Sequence, residues 1–171
     1  GEVYVVDPSL GGIAVTGLFA PGVHRFLPFA GARSVTVDWA DAIAVAGDPG
    51  AAVYTSRGEF RFVLDPGSAL GGAWDVAADP AARRYAVLWG EAGRVTVHDE
   101  AGARLFVFGQ AGDVTGQLKG ATSIAFTPSG NLLVGDTGHG NVKLFSGSNG
   151  SYLSVTYGRP PGGMGGLSAD R

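Results

Sequence analysis

The amino-acid sequence predicts an all-β fold, a β-propeller or a fragment of one, built from about four four-stranded antiparallel blades. Two observations carry this prediction. Short apolar runs recur in sets of four, and 30 of the 171 residues are glycines that lie mostly in the breaks between these runs. Glycine readily adopts the positive φ angles of tight hairpin turns, and a four-stranded unit of roughly 40 residues is typical of a propeller blade.

The first two predicted blades cover approximately residues 1–33 and 34–72. The first blade lacks its opening strand and contains three predicted strands: Glu2–Val6, Ile13–Thr16 and Arg25–Phe29. The second contains four strands, separated by breaks rich in Asp, Pro and Gly: Ser34–Trp39, Ile43–Ala46, Ala52–Thr55 and Phe60–Leu64. These residue types supply the turn conformations that join the strands of a hairpin.

The third and fourth predicted blades cover approximately residues 73–120 and 121–158 and have the same order of strands and breaks. The strands of the third are Trp74–Ala78, Tyr85–Trp89, Val95–His98 and Arg104–Phe108. Those of the fourth are Thr122–Thr127, Asn131–Gly135, Val142–Phe145 and Tyr152–Tyr157. In both blades a proline follows the first strand, and an aromatic residue followed by glycine ends the last. Residues 159–171 form a Gly/Pro-rich tail that we expect to connect to another blade, so that residues 1–171 make one domain.

The opening strand of each complete unit is rich in apolar residues, as with Ile124 and Phe126 in the fourth unit, and a solitary sheet of this size would expose apolar residues on both faces. Such a strand needs cover on both sides, and radial stacking of sheets provides it. A β-sandwich is the alternative, because it also consists of short strands and turns. The repeated Pro and aromatic-Gly positions favour the propeller, in which the strand aromatics pack between blades. An incomplete ring would leave apolar patches at its two open edges.

Composition excludes several classes of function. Hydrophobic residues make up 45% of the chain, charged residues 16%, and the net charge is -3, so no basic surface for nucleic acid is expected. No apolar run approaches the roughly 20 residues of a membrane-spanning helix. The chain contains no cysteine, which excludes thiol catalysis, disulfides and cysteine-ligated metals.

Residues 121–158 resemble the NHL repeat. The residues that carry the match are Ser123–Phe126, Gly130–Asp136, Thr137–Asn141, Val142–Phe145 and the closing Tyr157-Gly158. Residues 73–109 match less well, with Trp89-Gly90 where the repeat has an Asp. The resemblance implies a propeller, commonly of six blades. About four blades are visible here, so the chain is either part of a larger ring or a ring of four.

One acidic residue lies near the end of the second strand of each unit: Asp7, Asp48, Glu91 and Asp136. In a propeller these ends share a face, and a ring of carboxylates there could hold a hard cation such as Ca²⁺. The alternative, which we favour, is that these side chains cap turns through their oxygens. Of the three histidines, only His139 lies in a loop on this face, whereas His24 and His98 lie at outer strand positions. We therefore expect no shared histidine site.

No assembled catalytic constellation is visible, and we expect a non-enzymatic protein-binding or scaffolding module that serves as a subunit of a larger envelope or extracellular assembly. The incomplete first blade suggests a protein partner that completes the open edge. A metal-dependent propeller hydrolase or lyase, with its site among the loops after the second strands, is the alternative function. The NHL-type resemblance implies an extracytoplasmic location, in the periplasm, at the cell surface or secreted. The absence of cysteine and the presence of only two lysines are compatible with this expectation.

Overall fold

The computed structural model describes residues 1–66 and 69–157 of the chain. These residues form fifteen strands: β1 Glu2–Asp7, β2 Gly12–Gly17, β3 Ala20–Pro28, β4 Ser34–Val37, β5 Ile43–Gly47, β6 Gly50–Tyr54, β7 Phe60–Leu64, β8 Asp75–Asp79, β9 Arg84–Trp89, β10 Arg94–His98, β11 Arg104–Phe108, β12 Ala121–Phe126, β13 Leu132–Asp136, β14 Asn141–Phe145 and β15 Tyr152–Tyr157. The described ranges contain no helix. In particular, they contain no apolar helix of membrane-spanning length.

The strands form four antiparallel meanders that follow the order of the chain. Sheet 1 contains β1–β3, sheet 2 β4–β7, sheet 3 β8–β11 and sheet 4 β12–β15. Sheet 1 has three strands, as predicted for a blade without its opening strand. The opening strands of the other sheets, β4, β8 and β12, lie side by side, and we call them the inner strands. The sequence therefore predicted the grouping of strands into blades.

Side-chain oxygens close the turns between first and second strands. The Asp38 carboxylate accepts hydrogen bonds from the backbone N–H groups of Ala40 at 2.7 Å and Ala42 at 2.9 Å. These bonds turn the chain, so that β4 ends at Val37 rather than at Trp39, where the prediction placed its end. The predicted Asp-Pro and Thr-Pro breaks act in the same way in sheets 3 and 4, through Asp79 and Thr127.

Sheet 3 is covered on both faces. We call the side of a sheet that faces the previous sheet its preceding face, and the opposite side its following face. In β9, Val87 and Trp89 pack on the preceding face, towards sheet 2, whereas Ala86 and Leu88 pack on the following face, towards sheet 4. All four side chains are at most 2% exposed. This two-sided burial is the cover that the sequence analysis expected the stacking of blades to provide.

Aromatic rings contribute to the packing between sheets. Phe108 of sheet 3 lies 4.9 Å, centroid to centroid, from Phe145 of sheet 4. Trp39, which follows β4, lies 5.0 Å from Tyr85 of sheet 3. Such pairs add about 0.5–1.5 kcal/mol each to the gain from buried area. These aromatic residues pack between blades, as predicted.

The predicted tail, residues 159–171, lies outside the described residues, and the assignment of the chain to one domain stays a prediction. We expect thermal unfolding to show a single transition, because each sheet buries its neighbour's core and cannot unfold alone. Circular dichroism and calorimetry provide the measurement. Two separated transitions, or a calorimetric enthalpy well above the van't Hoff value, would contradict the single domain.

Candidate functional site

The four predicted carboxylates do not hold equivalent positions in their sheets. Asp7 and Asp136 are the last residues of their strands and pair across four-residue turns. In sheet 3 Trp89 holds this position, and Glu91 lies inside the turn that follows. In sheet 2 the turn has only two residues, and Asp48 is one of them. Within residues 1–66 and 69–157, no three His, Asp or Glu side chains are grouped closely enough to hold a metal ion.

Two of these carboxylates are engaged by their surroundings at the protein surface. Asp7 Oδ1 accepts hydrogen bonds from the Ser9 hydroxyl at 2.6 Å and the Leu10 N–H at 3.1 Å. These bonds hold the pKa of Asp7 below its ordinary value. Asp48 forms an ion pair of 2.6 Å with Arg33, and its side chain is 61% exposed. Both side chains are thus bonded to residues of the protein itself. Metal binding by the four carboxylates stays a prediction.

Asp136 is fully buried and holds a polar cluster together. Its Oδ2 accepts hydrogen bonds from Lys143 Nζ at 2.5 Å and from the backbone N–H of Lys119 at 3.0 Å. His139 Nδ1 lies 2.8 Å from the same oxygen. Burial raises the pKa of Asp136, but the hydrogen bonds from His139, Lys143 and Lys119 outweigh it and lower the pKa overall. Lys143 also donates to the carbonyl of Gln117, so the cluster fastens the segment before β12 to sheet 4.

The three histidines belong to different elements: His24 lies in β3, His98 in β10 and His139 in the turn after β13. His98 is fully buried at the end of β10 and belongs to a hydrogen-bond chain. Trp89 Nε1 donates to the Thr96 hydroxyl at 2.9 Å, and this hydroxyl lies 2.9 Å from His98 Nε2. His98 Nδ1 lies 3.2 Å from the carbonyl of Gly102. The chain is satisfied when His98 is neutral with its proton on Nδ1, and burial lowers its pKa.

The inner strands line an open groove of about 610 Å³. Asp75, at the start of β8, is the carboxylate that links the three strands. It accepts hydrogen bonds from the Ser34 hydroxyl of β4 and from the backbone N–H of Ile124 in β12, the latter at 2.8 Å. Burial raises the pKa of Asp75 in spite of these bonds. Both carboxylate oxygens are occupied, so Asp75 acts as a structural link between three sheets rather than as a poised base.

The stack of four sheets is uncovered at the end formed by sheets 1 and 2. Val76 and Ile124 hold the same position in β8 and β12, and the preceding sheets bury them to 3% and 2% exposure. The equivalent residue of β4, Val35, is only half-buried. Two positions further along, Phe126 is 9% exposed in β12, but Val37 is 41% exposed in β4. The difference arises because sheet 1 has no inner strand to cover sheet 2.

The preceding face of sheet 1 is also apolar and has no sheet packed against it in the described chain. Val5, Ala14 and Phe26 form one cross-strand row on this face. Val5 is 46% exposed and Phe26 is 37% exposed. Their neighbours Val6 and Ile13 point the other way and pack against sheet 2. This is the apolar patch that the sequence predicted for an open edge, and we take the uncovered end of sheets 1 and 2 as the candidate functional site.

Solved structures of similar shape are propellers. A protein of unknown function from Bacteroides caccae is 17% identical, with a TM-score of 0.73 over 98% of this chain and 60% of that chain. A chain of a nidogen/laminin complex is 14% identical, with a TM-score of 0.79 over 98% and 63%. The WD40 repeats of RRP9 are 17% identical, with a TM-score of 0.66 over 81% and 42%.

These similarities establish the fold, and the chain spans between 42% and 63% of the length of these solved chains. No family model matches the sequence, and a comparison with curated proteins finds no match. The class defined by the fold is therefore the β-propeller, and residues 1–66 and 69–157 form four of its blades, the first without an inner strand. The NHL type of its repeats stays a prediction.

If Asp136 is a structural ion-pair partner, Asp136→Ala lowers the free energy of unfolding by about 3–5 kcal/mol, because it leaves the Lys143 ammonium buried without its anion. Asp48→Ala is the matched control, and its exposed ion pair contributes less than about 1 kcal/mol. Urea unfolding measures both. An Asp136→Ala variant as stable as the control would contradict this role, and a wild-type melting temperature that rises in about 5 mM Ca²⁺ would support the metal site instead.

Stability should fall as the pH decreases below about 6.5, the ordinary pKa of histidine. The lowered pKa of buried His98 means that the unfolded chain binds a proton first, so the contribution of neutral His98 is complete above this pH and lost below it. Melting temperatures between pH 7 and 5 provide the measurement. His98→Gln should flatten the dependence. An unchanged slope in His98→Gln would assign the dependence to another group.

Proposed function

We propose that this chain is a non-enzymatic protein-binding propeller module, and that a protein partner completes its open edge. The observation that carries the proposal is the uncovered end, where Val5, Phe26 and Val37 are 37–46% exposed on sheets whose other faces are closed cores. Val5 and Phe26 flank Ala14 in one cross-strand row, and an exposed apolar patch marks an interaction site in many soluble proteins. The partner's surface must be apolar and extended to match it.

The energetics favour a protein rather than a small polar ligand at this surface. Complete burial of one valine or phenylalanine side chain contributes about 1.5–3 kcal/mol, and several such side chains lie on the uncovered end. No charged side chain holds a position in the row formed by Val5, Ala14 and Phe26. In the groove between the inner strands, the carboxylate of Asp75 is already hydrogen-bonded to β4 and β12.

The finer parts of the proposal are the setting and the repeat type. We place the module in a larger envelope or extracellular assembly, in the periplasm, at the cell surface or secreted, with repeats of the NHL type. The support is the motif at residues 121–158, the absence of cysteine and the presence of two lysines. One structural neighbour comes from a complex of two proteins, nidogen and laminin. Cell fractionation tests the location.

Light scattering after size exclusion tests the interface. An uncovered apolar end should make the isolated chain associate, so we expect the apparent mass to rise above 17.3 kDa with concentration. Val5→Lys should remain at 17.3 kDa, because association would bury its ammonium group. Leu105→Lys is the matched control, since Leu105 is 51% exposed on the outer strand of sheet 3 and should associate like the wild type. A wild-type chain that stays monomeric at all concentrations would count against the proposal.

A further inference from the structure

The turn between β14 and β15 contains two residues that are chemically unstable as neighbours, Asn149 and Gly150. An asparagine followed by glycine is the pair most prone to deamidation, because glycine has no side chain to hinder its backbone nitrogen when that nitrogen attacks the asparagine side chain. The chain contains three asparagines, and the other two precede the branched residues Leu132 and Val142. Asn149 is therefore the asparagine at which the sequence favours this reaction.

The packing between sheets 3 and 4 requires glycine at position 150. Its φ angle is +74°, a left-handed value that residues with a side chain rarely adopt. A Cβ atom on Gly150 would overlap Cβ and Cγ of Phe108. Phe108 belongs to the core cluster between the two sheets, and its ring lies 4.9 Å from that of Phe145. The fold thus determines which residue follows Asn149.

The side chain of Asn149 closes the turn and is activated by the same contact. Asn149 is exposed, and its Oδ1 accepts a hydrogen bond from the backbone N–H of Ser151 at 3.0 Å. This is the arrangement of an Asx turn. A donor on Oδ1 also stabilises the negative charge that develops on this oxygen when a nucleophile attacks Cγ. The turn therefore polarises the carbonyl group that deamidation requires.

The nucleophile, in contrast, is restrained in the folded turn. The Gly150 N–H donates a hydrogen bond to the carbonyl of Ser146 at 2.8 Å, and Gly150 is buried against Phe108. The hydrogen bond keeps the proton on the nitrogen, and the close packing holds this nitrogen away from Asn149 Cγ. The reaction therefore requires the turn to open, which is a local event that leaves the sheets folded.

We propose that Asn149 is a site of spontaneous deamidation whose rate is set by opening of the β14–β15 turn. The Gly150 nitrogen bonds to Asn149 Cγ and loses its proton, the Cγ–Nδ2 bond breaks, and Nδ2 leaves as ammonia. Water then opens the cyclic imide to aspartate or to isoaspartate, whose backbone is longer by a methylene group. Aspartate keeps an oxygen that can accept the Ser151 N–H. Isoaspartate displaces Gly150 from Phe108 and so loosens the contact between sheets 3 and 4.

Incubation of the full chain at mildly alkaline pH, followed by peptide mass mapping, tests the site. We expect product at Asn149, with Asn131 and Asn141 intact over the same period. The rate should be about tenfold or more lower in the folded chain than in the chain unfolded by urea, because the turn must first open. Absence of product at Asn149 in urea would overturn the assignment of the site. Equal rates in the folded and unfolded chain would overturn the protection by the turn.

Thermal unfolding of the separated products tests the consequence for the sheet interface. Both products carry an added negative charge, so ion exchange separates them from the parent chain, and an isoaspartate methyltransferase labels the isoaspartate form. That form should melt about 3 °C or more below the parent, whereas Asn149→Asp should melt close to it. Asn149→Ser keeps a side-chain oxygen but forms no imide, so incubation should leave its melting temperature unchanged. An isoaspartate form as stable as the parent would overturn the effect on the interface.

Discussion

The constraint on which this structure depends is that its sheets are apolar on both faces. Ala86 and Leu88 need cover on one side of β9, and Val87 and Trp89 need it on the other. A sheet of this kind has no face that water can stabilise, so it must stand between two others. Among the described residues the preceding face of sheet 1 has no neighbouring sheet, and there Val5 and Phe26 are 46% and 37% exposed. The candidate site is thus a consequence of the fold and needed no special motif.

The interfaces between neighbouring sheets differ from one another in the polar groups that they contain. At the end of the second strand, the same ladder position holds Gly47 in sheet 2, Trp89 in sheet 3 and Asp136 in sheet 4. Trp89 begins a neutral hydrogen-bond chain to Thr96, whereas Asp136 pairs with Lys143. A buried ion pair contributes little net stability compared with apolar packing but is costly to separate. Such groups penalise misaligned sheets, while the apolar side chains supply most of the stabilising energy.

The hairpins could be predicted from the sequence because their signals are local: turn residues, alternation and the Pro and Gly breaks all act within a few residues. The end of β4 was missed by two residues, since a strand pattern does not reveal that the Asp38 side chain will turn the chain. The link formed by Asp75 could not be predicted, because its partners lie 41 and 49 residues away on different sheets. Lys143 could have indicated the buried polar cluster, because it is the one charged residue of β14. A lysine in a buried sheet requires an anion, and here the anion is Asp136.

The other end of the stack, at sheet 4, also contains an interface position without its partner. Ser34, Asp75 and Ser123 hold one position in the three inner strands, and the first two are joined across sheets 2 and 3. Ser123 is 2% exposed, and its hydroxyl has no hydrogen-bond partner among the described residues. A buried hydroxyl without a partner is unfavourable by about 1–3 kcal/mol, a cost that the Ser34 hydroxyl avoids by donating to the carboxylate of the next sheet. The Ser123 hydroxyl therefore holds the position of the Ser34 hydroxyl without the carboxylate that sheet 3 supplies to Ser34.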